Sequence, residues 1–578
     1  MTRQNREEIE QAGMALIGGV AGLAIWFLTM RLPDLIDSER LVLALSAISG
    51  GFFSVLMLAW GPLRLRRALA VAAGIGLVAG GMLAWGAIRF DTVNAYLSTG
   101  HVVVAFLVLV TLPVPFLIAA ARPDEGWRCY PALFHHAWRL AVRYLAALIF
   151  AQLFWGLILL SDQVLQIVGI DAISRLLKVD WVPWVLSGLM LGLGLAVAHQ
   201  LRAYVSPYLA LRLLRLMLPF VLAVSAVFLV AAPLRGLSAL FGSLSPAAVL
   251  MALAGAAVTL ITAVLDAGPQ EAARSRVLTV SARLMALLLP LLGGLAAWAV
   301  WLRVAEYGWT PRRLAAAVSA LVVLGYGGSY AMAALRPGDW MARIRQANIG
   351  MALAMIGLAV LWLSPALDAE RISANAQLAR FEKAHMPADQ LDLWAIGHEW
   401  GRAGQAVLAR LSEPSHPRAA ELAPVLARLG AARDRREWQR GQPGAAVEDT
   451  EALRRRLRLY PAGATLPEAF FRDDRVPLWR DGCRRTTPAG NPGCVALVAD
   501  FLPDRPGQEV AVFYLITDAR AGVDGWAAGD GYFEARLFPQ GAGGWAGPEI
   551  IDRIGQGAFS LDSPDPFLLM GEKVLRLQ

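Results

Sequence analysis

The chain has 578 residues, 57% of them hydrophobic and only 17% charged, with a mean hydropathy of +0.50; soluble domains carry about 25% charged residues, so a water-soluble fold is excluded for most of its length. The formal charge is +8 and the pI about 9.7, yet residues 1–365 hold 27 Lys+Arg against 16 Asp+Glu while residues 366–578 hold 26 against 29. The basic surplus therefore sits in the apolar part, which excludes the clustered soluble patch that a nucleic-acid partner requires.

In chain order, the N-terminus mixes Arg3 and Arg6 with Glu7, Glu8 and Glu10, and no small-residue cleavage site follows the first apolar block. The first helix is expected to remain as an anchor. Eleven apolar blocks follow, at approximately 12–30, 41–62, 68–88, 101–121, 140–160, 181–199, 214–232, 247–265, 284–302, 314–335 and 346–364. A bilayer core about 30 Å thick takes about 20 residues of helix, and only helix satisfies the backbone of a single segment in lipid. Residues 1–365 are thus read as a membrane all-α domain of about eleven transmembrane helices.

Arginine placement gives the orientation. Loops after the second, fourth, sixth and eighth blocks carry Arg64, Arg66, Arg67, Arg122, Arg128, Arg139, Arg143, Arg202, Arg212, Arg215, Arg274, Arg276 and Arg283; those after the first, third, fifth and seventh carry Arg31, Arg40, Arg89, Arg175, Lys178 and Arg235, with most of the acids. The first set is expected to face the cytoplasm, which puts the N-terminus inside and the C-terminal domain outside. The loop after the ninth block departs from this rule, because it holds Arg303, Arg312 and Arg313 on the outer side. Either the helix count shifts there or the loop is special.

Small residues recur at Gly18/Gly22, Gly76/Gly80 and Gly188/Gly192, spacings that let helices approach closely. Ionisable residues are nearly absent from block centres: Asp162, His199 and Asp266 lie near ends, which weighs against an ion-coupled carrier. His135 and His136 are adjacent, so on one helix they point apart and do not share a metal.

Residues 366–578 read as an extracytoplasmic soluble α+β domain. Leu391–Leu411, Ala419–Leu429 and Ala452–Leu459 have helical spacing, and Cys494–Phe501, Glu509–Ile516 and Tyr532–Phe538 read as strands. Cys483 and Cys494 form a disulfide in an oxidising compartment, or stay as two thiols in a reducing one. The connection from Asp500 through Asp504 to Glu509 has acids at calcium-turn spacing, but Leu502, Arg505 and Pro506 argue for a plain hairpin.

The segment Trp301-Leu-Arg-Val-Ala-Glu-Tyr-Gly-Trp-Thr-Pro-Arg-Arg313 carries the chain's most specific likeness. With His135-His136-Ala-Trp138, Ala263-Val-Leu-Asp266-Ala-Gly268, Pro337-Gly-Asp-Trp340, Ser364-Pro-Ala-Leu-Asp368 and Arg371-Ile-Ser-Ala-Asn-Ala-Gln377, it resembles the bacterial membrane proteins grouped as "domain of unknown function 4153" over roughly residues 100–410. The resemblance implies a bacterial membrane protein and supplies no catalytic residues.

Two readings attach to the Tyr307–Arg313 turn. In one, Trp301, Tyr307 and Trp309 anchor an interface, Thr310 caps the next helix and Pro311 starts it. In the other, Arg303, Arg312 or Arg313 contacts a lipid phosphate or a carboxylate. No phosphate loop, nucleophile elbow or zinc-protease motif occurs, since Arg402 stands where His398-Glu399 would need a second histidine. No catalytic, cofactor-binding or metal residues are therefore expected. The leading expectation is an inner-membrane envelope scaffold, sensor or lipid-interacting protein, with membrane lipids and a periplasmic protein as partners. A transporter or flippase comes second, with a cavity lined by Gln152, Thr259, Thr262, Tyr326 and Tyr330, and a membrane-embedded transferase third.

Overall fold

The computed structural model describes residues 3–577 except 123, 201–206, 236–244, 384–387, 389–390, 441–444, 474, 501–507, 518–519, 529–530, 534–536, 541–546, 559, 563–566 and 571–572. The chain is mostly helical and divides into two compact units, Met1–Leu422 and Ala423–Gln578.

Among the described residues of the first unit, ten helices are long and apolar enough to cross a bilayer: α1 (Gln11–Leu35), α2 (Glu39–Ala59), α3 (Leu65–Arg89), α4 (His101–Ala120), α5 (Tyr130–Ile167), α7 (Tyr208–Ala231), α8 (Pro246–Leu265), α9 (Arg276–Tyr307), α10 (Pro311–Leu335) and α11 (Trp340–Leu363). The remaining expected segment, 181–199, is the shorter apolar helix α6 (Val182–Ala198). The eleven blocks and the eleven helices thus coincide one for one, with ten of full spanning length. α5 leaves Leu145, Leu148, Ile149, Leu153, Leu157, Leu160, Val164 and Ile167 exposed. That apolar stripe is costly in water and suited to lipid.

The first unit has two main apolar cores. Leu43, Val55, Ala72, Leu83, Val114 and Leu363 join α2, α3, α4 and α11, whereas Leu218, Ile261, Met285, Leu289 and Ala333 join α7 to α10. α1 is held differently. Gly18 and Gly22 lie against Gly188 and Trp184 of α6 so closely that a Cβ on either would overlap a backbone carbonyl. The two small-residue pairs seen separately in the sequence are halves of one seam.

Two arginines assigned to cytoplasmic loops are in fact buried within α5 and α7, their guanidinium groups set against the ends of neighbouring helices. Arg143 donates to the carbonyls of Leu195 (2.9 Å), Trp60 (3.2 Å) and Met57 (3.3 Å). It has no carboxylate partner among the described residues, and the negative ends of two helix dipoles offset its charge. Arg215 is tied to α8, as set out below. Side-chain charge alone does not tell a loop arginine from one snorkelling back to cap a helix. Removing both leaves the arginine bias in the same direction; Arg202 lies outside the described residues.

The expected boundary at 365/366 falls inside the first unit. After α11, helix α12 (Ala369–Lys383) folds back over the ends of the membrane helices. Gln377 donates to the carbonyls of Tyr307 and Trp309, both at 2.9 Å. The end of hydrophobic composition marks where lipid contact stops, not where packing stops. The expected helix Leu391–Leu411 is broken at Trp400, with a π-turn at Ala395–Glu399 and a helix at Gly401–Leu411.

In the second unit a five-stranded sheet has the order β1 (Arg458–Tyr460), β2 (Cys494–Ala499), β3 (Glu509–Thr517), β4 (Arg520–Ala527) and β5 (Gly531–Phe533), antiparallel except for β1 with β2. Both faces are covered. Cys494, Ala496, Val498, Val510 and Val512 pack with Phe470 and Trp479, while Val495, Leu497, Ala511 and Phe513 pack with Ile550, Ile551 and Ile554. This is why β2 and β3 read as continuous apolar runs. A second sheet has the order β6 (Leu537–Gln540), β9 (Lys573–Leu577), β8 (Phe567–Met570) and β7 (Ser560–Asp562). The expected strand Tyr532–Phe538 is divided between β5 and β6, in different sheets. β4 escaped the sequence reading because Gly522, Asp524 and Gly525 interrupt its apolar pattern. The connection carrying Asp504 lies outside the described residues.

Candidate functional site

The expected candidates around Tyr307 come together, and the structure gives most of them a packing job. Gly308 closes α9 with a φ of +75°, and the Thr310 side chain accepts from the Arg313 amide at 3.3 Å, with Pro311 opening α10. Arg313 donates to the carbonyls of Tyr307 (3.1 Å) and Gly308 (2.7 Å) and lies over the Tyr307 ring. Trp309 packs against the core of Ala247, Val300 and Val304. Arg380 of α12 donates to the Glu306 carbonyl. Arg303 and Arg312 are exposed. The loop after α9 is thus special in structure: its carbonyls are bound by Arg313, Gln377 and Arg380.

The two histidines diverge, His136 Nε2 to Glu125 Oε2 at 2.6 Å and His135 toward Glu271 at 4.0 Å. Among the described residues no group of three His, Cys, Asp or Glu side chains converges for a metal. Cys483 and Cys494 are joined in a disulfide, with a Cα–Cα distance of 4.7 Å. They tie the end of the helix Val476–Arg484 to the first residue of β2. The intervening turn is fastened by Asp552, which accepts from Thr487 (3.0 Å) and Asn491 (2.8 Å).

The strongest candidate site is a cavity of about 250 Å³ between α4, α5, α8, α10 and α11. Leu112, Pro115 and Phe116 come from α4, Leu133, Phe134, Ala137 and Trp138 from α5, Val258 from α8, and Ile349 and Ala352 from α11. Against these apolar walls stand five polar residues, Tyr130, Thr259, Thr262, Tyr326 and Asn348, and no lining residue is charged.

A hydrogen-bond chain runs through the polar side. Thr262 Oγ1 donates to the Val258 carbonyl at 2.7 Å and lies 3.3 Å from Tyr330 Oη, and Tyr330, fully buried, donates to Asn348 Oδ1. Asn348 Nδ2 donates to Tyr130 Oη at 3.3 Å. A phenol has one hydrogen and accepts as well, so with its oxygen accepting from Asn348, the Tyr130 hydrogen is left to donate to a further group. Four of the five residues expected to line a cavity meet here, Thr259, Thr262 and Tyr326 in the wall and Tyr330 behind it. Gln152 does not, being exposed on α5.

The cavity rests on a buried clamp. Asp266 ends α8 at φ 50°, and its carboxylate pairs with Arg215 and accepts from the Ala267 amide (2.7 Å). Arg215 also donates to the Ala263 carbonyl (2.8 Å), and Arg345 to the carbonyls of Leu265 (2.5 Å) and Asp266 (3.3 Å). Two guanidinium groups thus satisfy the carbonyls that a helix C-terminus leaves unpaired. Arg345 precedes Asn348, Ile349 and Ala352 at helical spacing, so the clamp fixes the face of α11 that enters the cavity. Tyr130, Asn348, Arg215 and Arg345 were missed in the sequence. The i, i+3, i+4, i+7 spacing of Arg345, Asn348, Ile349 and Ala352 was the available signal.

Fold and cavity together define a multi-pass helical membrane protein with an amphipathic pocket among its helices. Comparison with family models, curated proteins and solved structures finds no match.

Proposed function

We propose that this chain is a lipid-interacting protein of a bacterial inner membrane, related to the "domain of unknown function 4153" group, that holds an amphiphile in the α4–α5–α8–α10–α11 cavity. The observation that carries this reading is the lining: apolar walls for an acyl or isoprenoid chain, and one side of hydroxyl and amide groups ending on the Tyr130 donor. Ligand sites are typically mostly apolar with few placed polar groups. The absence of lining charge favours a neutral or hydrogen-bond-accepting headgroup portion over a bare ion.

Lipids retained by detergent-purified protein test it, with mass spectrometry as the readout. The wild type is expected to retain a defined species near one per chain, and Ala352→Trp, which fills the cavity, to lose it at least about fivefold, equal to about 1 kcal/mol. An unchanged lipid complement in a well-folded Ala352→Trp protein would overturn the reading. The same five polar lining residues favour a flippase as the second reading; a labelled lipid that changes leaflet in reconstituted vesicles would select it.

The arginine bias and the Cys483–Cys494 bond support a cytoplasmic N-terminus and a periplasmic second unit that engages a protein partner. A reporter fused after Gln578 is expected to be active only outside the cytoplasm. Without reductant, only Cys129 is expected to react with a thiol label. Reaction of Cys483 or Cys494, or reporter activity inside, would reverse the orientation.

A further inference from the structure

A second buried polar cluster lies far from the cavity, where α12 meets the ends of α3, α4 and α11. Among the described residues, its buried Tyr96 Oη, His101 Nε2 and Glu370 Oε1 have no hydrogen-bond partner within bonding distance. Glu370 is only 3% exposed and Tyr96 fully buried. Arg89 stands among them, with Nη1 3.9 Å from Asp368 and 3.8 Å from Glu370, while Nε donates to the Gly86 carbonyl at 3.2 Å.

The protonation state of His101 is fixed by its neighbour. Trp362 Nε1 donates to His101 Nδ1 at 3.0 Å. An indole nitrogen only donates, so Nδ1 is bare and a neutral imidazole carries its hydrogen on Nε2, which faces Glu370 Oε1 at 3.6 Å. An imidazolium would set an N–H against the indole N–H and break that bond. A proton taken up by the cluster therefore goes to the buried Glu370 carboxyl. Two carboxylates against one guanidinium leave a net negative charge, and one proton makes the group neutral. Other charges on the packed elements are the exposed Arg312 and Arg402–Asp91 pair (3.7 Å), and half-buried Arg40, which donates to the Phe90 carbonyl at 3.0 Å.

We propose that the buried Glu370 carboxyl is a proton-binding site, and that its protonation latches α12 onto the ends of α3, α4 and α11. Geometry and electrostatics agree. Burial pushes the Glu370 carboxyl up to about 7, against the pull of Arg89 and with Asp368 adding to the rise. A carboxyl whose value is raised in the docked state favours docking fully below its ordinary value near 4.5, and that contribution is lost as pH climbs through 7. The latch is therefore tight in acid and loosens in alkali. Because Gln377 and Arg380 of the same helix hold the carbonyls of Glu306, Tyr307 and Trp309, its release also frees the turn between α9 and α10.

Hydrogen exchange of residues 369–383 in the full chain, in nanodiscs between pH 5.5 and 8.5 and corrected for intrinsic rates, tests the latch. In the wild type, protection is expected to fall more than about tenfold as pH rises across that range. Glu370→Gln keeps the neutral form and is expected to stay protected at every pH. Asp368→Asn removes the competing carboxylate and is expected to move the midpoint down by about one pH unit. Wild-type protection that does not change with pH would overturn the proposal, whether or not the variants fold, as would the same fall in Glu370→Gln.

Discussion

Gly188→Leu is expected to abolish the detergent-stable fold, at a cost of about 3 kcal/mol or more. At this point α1 and α6 touch backbone to backbone. Any Cβ on Gly188 overlaps the Gly18 carbonyl, Gly18 overlaps Gly188 in return, and Gly22 and Gly192 meet Trp184 and Met14 in the same way. No rotamer relieves this, because the obstructing atoms are main chain on both sides. The two helices must separate, and in lipid no hydrophobic term drives them back together. Size-exclusion profiles and thermal midpoints of the fluorescently tagged protein measure the effect. Gly74→Ala is the control: nothing lies within 4 Å of its new methyl, so the change is expected to be neutral or to gain about 0.5–1 kcal/mol from helix propensity. A Gly188→Leu protein with wild-type stability would refute the seam.

Arg215→Ala is expected to be nearly as damaging, costing about 3–5 kcal/mol, the usual penalty for removing one member of a buried ion pair. Asp266 would keep its hydrogen bond from the Ala267 amide but lose its guanidinium, and the Ala263 carbonyl would lose its donor. Because Arg345 also holds the end of α8, the remaining clamp would be distorted rather than absent, and the face of α11 carrying Asn348 would shift. Stability and bound lipid are therefore expected to fall together. Replacing both members, as Arg215→Met with Asp266→Asn, removes the stranded charge and is expected to recover part of the loss. Equal stability of Arg215→Ala and wild type would show that the pair contributes little.

The latch and the cavity were legible to different degrees. Thr259, Thr262, Tyr326 and Tyr330 stand out as hydroxyls within apolar helices, so a polar pocket was foreseeable from them. Gln152 stands out equally but is exposed on α5; the one-dimensional pattern says that a residue is polar, not which way its helix is turned. Tyr130 was invisible because it opens α5, where polar residues are ordinary, and Asn348 was legible only through its helical spacing from Arg345. Arg143 and Arg215 were read as loop charges because α5 and α7 begin at Tyr130 and Tyr208, ahead of the apolar blocks that mark them in the sequence. In the turn at Tyr307–Arg313 the local chemistry was plain: a threonine cap, a proline at the first helical position and a glycine at positive φ.

The sequence alone determined the membrane class, the eleven apolar helices and the three small-residue pairs, because segment length against bilayer thickness and the spacing of glycines are local properties of the chain. Only the tertiary structure decided that Gly18/Gly22 meets Gly188/Gly192, that two guanidinium groups close α8, that α12 folds back onto the helices it follows, and that Glu370 is sealed beside Arg89 and His101. Those are contacts between segments up to about 280 residues apart. They depend on how helices rotate and cross, which no single helix's composition specifies.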